Sequence, residues 1–459
     1  MIRASLQRTK KIANESLTTG ADGNDERPRV LVFHPEPKRA DATASWRDSQ
    51  SRLDEAVSLT GALEFDVVGA DIVPIAKIRP ATLFGSGVVE RLHDQIKAEE
   101  ADLVVVNGQL TPIQQRNLER EWECKVIDRT GLILEIFADR ARTREGRLQV
   151  QLALLSYQRS RLVRTWTHLE RQRGGRGFLA GPGERQIEID RRLISDKLTK
   201  LRRELDEVKR TRDLHRQARR RVPYPIVALV GYTNSGKSTL FNRLTASDVF
   251  AEDMLFATLD PTMRGLELPG GRRVILSDTV GFVSDLPHDL VAAFRATLEE
   301  VLEADLIIHV RDVHSPETSA QKQDVLEVLK ELGLQQAIDG EELVEALNKC
   351  DLLDAEGRIA IQEHSARHLN TIAISAVTGE NCDGLLKLIE QRLTSEMPVF
   401  SVSVPFANGK ALAELYQQGE ILHRHEDEDG ITVHIRLEES RITRFEDWCR
   451  RTKLDPHTL

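Results

Sequence analysis

Ile226-Val227-Ala228-Leu229-Val230-Gly231-Tyr232-Thr233-Asn234-Ser235-Gly236-Lys237-Ser238-Thr239-Leu240-Phe241 runs from an apolar stretch, through a glycine-bounded loop, into the start of a helix. The G-x-x-x-x-G-K-S spacing is that of a phosphate-binding P-loop, and a strand before it and a helix after it are the context the pattern needs. Gly231 and Gly236 let the backbone curl so that successive N–H groups point inward at a phosphate. Lys237 adds a point charge near the β- and γ-phosphates, and Ser238 offers a hydroxyl to Mg2+. The helix opening near Lys237 turns its positive dipole end on the same anion.

The base is chosen elsewhere. Leu343–Leu347 reads as a strand running into Asn348-Lys349-Cys350-Asp351. In this N-x-x-D order the Asp351 carboxylate can accept both N–H groups of guanine's Watson–Crick edge, a donor pair adenine lacks. The Lys349 stem can lie over the base, and Asn348 can tie the loop back to the P-loop. A ligand that misses a built-in hydrogen bond loses heavily. Ile372-Ala373-Ile374-Ser375-Ala376-Val377 reads as a strand ending in small residues, with Ser375, Ala376 and Val377 placed for main-chain contact with the guanine carbonyl. Between these motifs, Val274–Ser277 is a strand that delivers Asp278 toward Mg2+ and, through Thr279 and Val280, the Gly281 N–H toward the γ-phosphate. Upstream, Phe256-Ala257-Thr258-Leu259-Asp260-Pro261-Thr262 has the character of a loop whose threonine closes on Mg2+ and the γ-phosphate, Thr258 first and Thr262 second. Both loops would order with triphosphate and relax after hydrolysis. The ligands expected are therefore GTP and GDP. Mg2+ falls to Ser238, Thr258 and Asp278, and catalysis to Lys237, Thr258 and Gly281.

One position departs from the usual GTPase pattern. Many place a glutamine after the D-x-x-G glycine to orient the attacking water; here that residue is Phe282. Unaided hydrolysis should be slow, and a partner or another residue must position the water. Asn234 either helps hold K+ as a substitute positive charge or braces the mobile loops.

At 459 residues the chain exceeds one core. It is 40% hydrophobic and 30% charged, with no run approaching the roughly 20 apolar residues of a membrane span. Four scattered cysteines lack metal-ligand spacing and read as reduced thiols of a cytoplasmic protein. Residues 1–28 form a polar tail without a signal-peptide core and are expected to be disordered. Strands at Val30–Phe33, within Leu63–Pro74 and ending in Asp71–Pro74, at Leu103–Val106 and at Lys125–Asp128, with helices at Val88–Glu99 and Thr111–Trp122, predict a small parallel α/β domain over 29–138. Gly85-Ser86-Gly87 there reads as a tight turn. Over 139–221, Leu148, Leu155, Leu162 and Leu169 recur every seven residues, and Ile194, Leu198, Leu201, Leu205 and Val208 alternate four and three. That spacing predicts an antiparallel helical hairpin. Residues 141–221 hold 23 Lys and Arg against 10 Asp and Glu, an excess of 13 positive charges, so with −9 overall the remainder carries −22. A basic segment in an acidic chain is an electrostatic footprint for a polyanion. Arg171, Arg173, Arg176, Phe178 and Arg185 at the hairpin tip are candidate RNA contacts, since arginine forks onto phosphate and stacks on bases. The P-loop domain spans 224–397, and a small α/β domain 398–449 with frayed final residues closes the chain.

In sum the fold class is α/β: a P-loop domain with a mostly parallel sheet, preceded by a small parallel α/β domain and a helical hairpin. Gly181-Pro182-Gly183-Glu184-Arg185-Gln186-Ile187-Glu188-Ile189-Asp190-Arg191-Arg192 after the first long helix, followed by Gly231-Tyr232-Thr233-Asn234-Ser235-Gly236-Lys237-Ser238, resembles the HflX family of bacterial GTPases. Phe256–Asp260, Asp278–Phe282 and the Leu110–Leu118 segment fit the same resemblance, which spans about Val30 to Arg444. The family's usual Gly-Lys-Gly-Lys is Gly85-Ser86-Gly87-Val88 here, and a threonine usual at the tip is Arg185. The resemblance implies a translation-factor-class GTPase that binds the large ribosomal subunit and its rRNA in the GTP form. It implies hydrolysis stimulated by the ribosome, splitting or rescue of stalled ribosomes under stress, and for some members ATP as a second nucleotide. A free monomer in the cytoplasm is expected, with peripheral membrane association as the variant. The competing reading is a GTP-gated dimerising or adaptor module whose helices form an intermolecular seam.

Overall fold

The computed structural model describes residues 27–37, 48–172, 182–219, 224–246, 256, 262–284, 299–340, 343–395, 398–426, 430–437, 439–452 and 454–458. The predicted tail therefore lies almost wholly outside the described residues. The chain divides into two units, one of residues 1–266 with 274–382 and one of residues 267–273 with 383–459.

The first unit opens with β1 (Arg29–Pro37), α1 (Ser49–Gly61), β2 (Asp66–Ile75), α2 (Ser86–Ala98), β3 (Leu103–Val106), α3 (Pro112–Trp122), β4 (Lys125–Asp128) and α4 (Arg129–Arg140). The strands form an all-parallel sheet in the order β2-β1-β3-β4. Helices cover both faces, so the inner strands are apolar without alternation. Val30 and Val32 join Leu53, Leu59, Ile133 and Phe137 from α1 and α4. Leu31 and Phe33 meet Leu92, Leu118 and Trp122 from α2 and α3 on the other face. β1 is longer than its apolar signal because β3 pairs only with Val30–Phe33, whereas β2 pairs along the whole strand to Pro37. Helix α3 begins as its sequence dictates: Thr111 caps the Gln114 N–H at 3.2 Å, Gln114 returns the bond at 2.9 Å, and Pro112 takes the first position. Gly85 precedes α2 in extended backbone, a turn into the helix.

Two long helices follow, α5 (Arg144–Gln172) and α6 (Pro182–Arg219), and they pack against each other. Leu148 and Leu198 of the predicted seam are buried. Asp128, 2% exposed, anchors α5 to the first sheet. It accepts Gly131 N at 2.8 Å and Leu110 N at 3.2 Å, the Tyr157 hydroxyl at 2.5 Å and the Arg161 guanidinium at 2.5 Å. Burial and the adjacent carboxylate push the Tyr157 hydroxyl well above the usual phenol range, so it stays a donor.

The P-loop domain contains β5 (Ile226–Val230), α7 (Lys237–Thr245), β6 (Thr262–Glu267), β7 (Arg273–Asp278), α8 (Glu299–Leu302), β8 (Leu306–Asp312), α9 (Thr318–Glu331), α10 (Gln335–Asp339), β9 (Leu343–Asn348), α11 (Ala355–Arg367) and β10 (Thr371–Ala373). Its sheet runs β10-β9-β8-β5-β7-β6, and β7, β5, β8, β9 and β10 are parallel. The P-loop thus leaves the carboxyl end of a central strand, where such sheets bind ligands.

In the second unit, β11 (Val399–Pro405), β12 (Glu420–Glu426), β13 (Gly430–Arg436) and β14 (Pro456–Thr458) make an antiparallel sheet ordered β12-β13-β11-β14. Its core joins Phe400, Val402 and Leu415 to Phe445 and Trp448, the last three drawn from α13 (Gly409–Gln418) and α14 (Glu439–Thr452). Helix α12 (Cys382–Ser395) falls largely in this unit. The final residues do not fray as expected: Pro456–Thr458 pairs with β11, held by buried Leu454, because the edge of β11 offers unused backbone groups.

Asp128→Ala leaves Arg161 and Tyr157 facing a void where a buried charge stood. We expect about 3 kcal/mol of destabilisation, seen as a lower urea midpoint and faster hydrogen exchange in α4 and α5.

Candidate functional site

The loop after β5 has the geometry its glycines demand. Gly231 sits at φ +153° and Gly236 at φ +91°. A Cβ on Gly231 would lie 2.3 Å from the Val310 carbonyl oxygen, and one on Gly236 would lie 2.2 Å from Asn348 Nδ2. Asn234 adopts φ +59° at the exposed tip of the loop. Thr233 Oγ1 and Ser235 Oγ are buried and have no partner among the described residues. Lys237 is buried, and its Nζ donates to the carbonyls of Tyr232 at 2.8 Å and Gly231 at 3.2 Å. Burial lowers its pKa to about 8, opposed by the Asp278 carboxylate. Ser238 donates to Asp278 Oδ2 at 2.7 Å, and Thr239 follows half-buried in the first turn of α7. Ser238 and Asp278 are hard oxygen donors set side by side, a set that fits Mg2+. Thr279 is turned away, its hydroxyl on the Leu229 carbonyl at 2.6 Å.

The base-side loops are tied to this cradle by Asn348. Its Nδ2 donates to the Ser235 carbonyl at 2.8 Å and its Oδ1 accepts the Ala376 N–H at 2.9 Å. Lys349 takes φ +67° and pairs with Asp312 at 2.8 Å. Asp351 Oδ1 is buried without a partner among the described residues. β10 ends at Ala373, sooner than expected, so Ser375, Ala376 and Val377 form a loop rather than a strand end. The Ser375 N–H donates to the Glu380 carbonyl at 3.1 Å, and that of Ala376 is taken by Asn348. Arg243 holds the Ala376 and Val377 carbonyls from below.

The segment after β7 closes over the P-loop. Phe282 N donates to the Gly231 carbonyl at 3.0 Å and Thr233 N donates to the Phe282 carbonyl at 2.7 Å. A Cβ on Gly281 would stand 2.9 Å from Thr233 Cα, so only glycine fits there. The Phe282 side chain is buried at 2% exposure in an apolar cluster with Val280, Tyr232 and Phe256. Three residues expected at the nucleotide therefore turn their side chains elsewhere: Val280 into that cluster, Phe256 onto the Phe137 ring at 4.7 Å, and Tyr232 onto Glu55. Large apolar side chains beside a charged ligand would lose their burial, which is why only their main chain can serve.

The sequence offered no sign of the residues that join this segment to the first sheet. Glu55 of α1 accepts the Tyr232 hydroxyl and the Ser284 hydroxyl, the latter at 3.0 Å. Ser284 N donates to Tyr232 Oη at 2.9 Å. Arg129 of α4 pairs with Glu55 at 3.2 Å and donates to Ser284 Oγ at 2.9 Å and to Asn107 at 2.8 Å. No motif marks them, since a Glu in a helix and an Arg after a strand are ordinary surface residues until a partner buries them. Ala257 and Thr258 lie outside the described residues, as do Arg173, Arg176, Phe178 and the side chains of Arg171 and Arg185; Thr262 begins β6.

Four family models cover most of the chain. They are described as GTP-binding GTPase N-terminal over residues 50–138, GTP-binding GTPase middle region over 140–219, 50S ribosome-binding GTPase over 226–349 and HflX C-terminal domain over 360–451. A GTPase HflX of Magnetococcus marinus is 50% identical over 423 residues, covering 91% of this chain and 96% of that protein. This chain belongs to the HflX family of GTPases. The GTPase HflX of Escherichia coli is 43% identical over 381 residues, covering 82% of this chain and 86% of its own length. Among solved structures, that of SsGBP with GDP aligns over 80% of this chain and 99% of its own at 24% identity, with a TM-score of 0.47. Membership of this family makes the chain a P-loop GTPase, which accounts for a cradle, a base loop and a closing segment assembled around one point. Among the described residues, no helix is long and apolar enough to cross a membrane.

Lys237 ties affinity to pH. A bound phosphate favours its charged form, so triphosphate affinity should hold below about pH 8 and fall above it, by up to about tenfold per pH unit. Titration with a fluorescent GTP analogue from neutral to alkaline pH tests this, and Lys237→Ala should bind weakly with no such break.

Proposed function

We propose that this GTPase is a ribosome-activated switch: with GTP bound it docks on the large ribosomal subunit, and that contact supplies the water-positioning its own chain lacks. The carrying observation is Phe282, whose side chain is buried in apolar surroundings and cannot orient a nucleophile. The nucleotide sits with its phosphates on residues 231–239, Mg2+ between Ser238, Asp278 and Thr258, and guanine between Lys349, Asp351 and the loop at Val377. Lys237 and the Gly281 N–H stabilise the transferred phosphoryl charge. Asn234, at the exposed loop tip, is the candidate for holding K+. The basic helical pair α5–α6 would lie on rRNA, with Arg171, Arg173, Arg176, Phe178 and Arg185 at its tip. The family model matching the P-loop domain is itself described as a 50S ribosome-binding GTPase. In the cytoplasm, this cycle would split or rescue stalled ribosomes under stress. Burial of Leu148 and Leu198 within one chain favours a free monomer over a dimer joined through the helical seam.

Sedimentation with purified large subunits is expected in a GTP analogue and not in GDP, with GTP turnover raised by the subunits. A turnover rate indifferent to subunits would overturn the reading. Neutralising Arg171, Arg173 and Arg176 together should weaken pelleting, flatten its salt dependence and spare basal turnover. Asp351→Asn should lower GTP affinity by roughly 100-fold or more while improving binding of xanthosine triphosphate, whose ring presents the complementary groups; equilibrium titration of both nucleotides checks it.

A further inference from the structure

Four of the chain's 13 histidines lie in the antiparallel sheet of the second unit: His423 and His425 on β12, His434 on β13 and His457 on β14. Ile431, Val433 and Ile435 are buried, so His434 and Thr432 alternate onto the opposite face. His423 stands directly opposite His434, and His425 opposite Thr432. A bulge between Ile421 and His423 is what turns His423 outward. In an unbulged strand, residues 421 and 423 would share a face, and His423 would follow Ile421 onto the core side. Three imidazoles thus share one face of two neighbouring strands, two on the edge strand in an H-x-H step and one across from them. The His423 and His434 rings are 5.7 Å apart, and His425 and His434 stand in the diagonal relation, about 7–8 Å between backbones and within reach of two long side chains. His457 is paired one strand further on, beyond Ser401.

We propose that His423, His425 and His434 form a binding site for a divalent transition-metal ion of the zinc class, with three imidazole ligands and the fourth position left to water. Among the described residues, no three such side chains already stand around one point. His423 and His425 are exposed and His434 is half-buried, which leaves their side chains room to rotate toward one another. The ion would clamp edge strand β12 to β13 at the bulge, where the ladder is weakest. A second neighbouring pair among the described residues, His364 and His368 of α11 and its cap, has rings 4.3 Å apart and tilted by 31°, with His368 Nδ1 on the His364 carbonyl at 2.9 Å. That nitrogen is already engaged, so the pair serves as the control.

Untagged full-length protein titrated with Co2+ should show one equivalent bound with the visible absorption of a four-coordinate ion, displaced by Zn2+. His425→Ala and His434→Ala should each weaken binding by at least roughly tenfold, and the His364→Ala/His368→Ala variant should bind as the parent does. Because His425 is exposed on an edge strand, its substitution tests the site even if His434→Ala disturbs the fold. The proposal is overturned if the parent shows no saturable binding, if His423→Ala/His425→Ala keeps the parent affinity, or if loss is confined to the His364/His368 variant.

Discussion

The P-loop exists because its neighbours press closer than any side chain would permit. The Val310 carbonyl of β8 occupies the space beside Gly231, Asn348 that beside Gly236, and the Thr233 backbone that beside Gly281. Three separate pieces of chain therefore converge on one loop at positions that have no room for a Cβ. Asn348 then joins the P-loop to the loop after β10, since one amide holds the Ser235 carbonyl and the Ala376 N–H. A shift in either loop breaks a buried hydrogen bond, which costs about 1–3 kcal/mol. The two loops consequently stand at fixed separation.

The first α/β sheet meets the closing segment through polar groups that are nearly all buried. Arg129 and Glu55 have side chains 7% and 11% exposed. A buried ion pair is tolerable only when further hydrogen bonds satisfy it, and Ser284, Tyr232 and Asn107 supply them. Movement of Ser284 would strip partners from two charges at once. The neighbouring residue Asp128 anchors α5 through Tyr157 and Arg161. Two consecutive residues at the end of β4 thus face opposite ways, one to the helical pair and one to the segment that ends the phosphate site.

Phe282 belongs to the same economy. Its main chain bridges to Gly231 and Thr233 while its ring fills an apolar cluster with Tyr232 and Phe256. A side chain committed to packing in this way is held by the first domain rather than turned toward the loop.

Much of this was written in local pattern. The P-loop follows from Gly231, Gly236 and Lys237 at fixed spacing, the guanine loop from Asn348 and Asp351 at a strand end, and the start of α3 from Thr111, Pro112 and Gln114, because each depends on residues close along the chain. The amphipathic α1 and the extension of β1 past Phe33 were less visible, since half-covered elements carry weak periodicity. What only the tertiary structure decided is where side chains turn. Tyr232 and Phe256 turn onto Glu55 and Phe137 of the first domain's helices, Ser375 and Ala376 spend their N–H groups internally, and Pro456–Thr458 pairs instead of fraying. Glu55, Arg129 and Ser284 meet across 229 residues of sequence, and no local spacing can encode a contact whose two sides are brought together only when the sheets have formed.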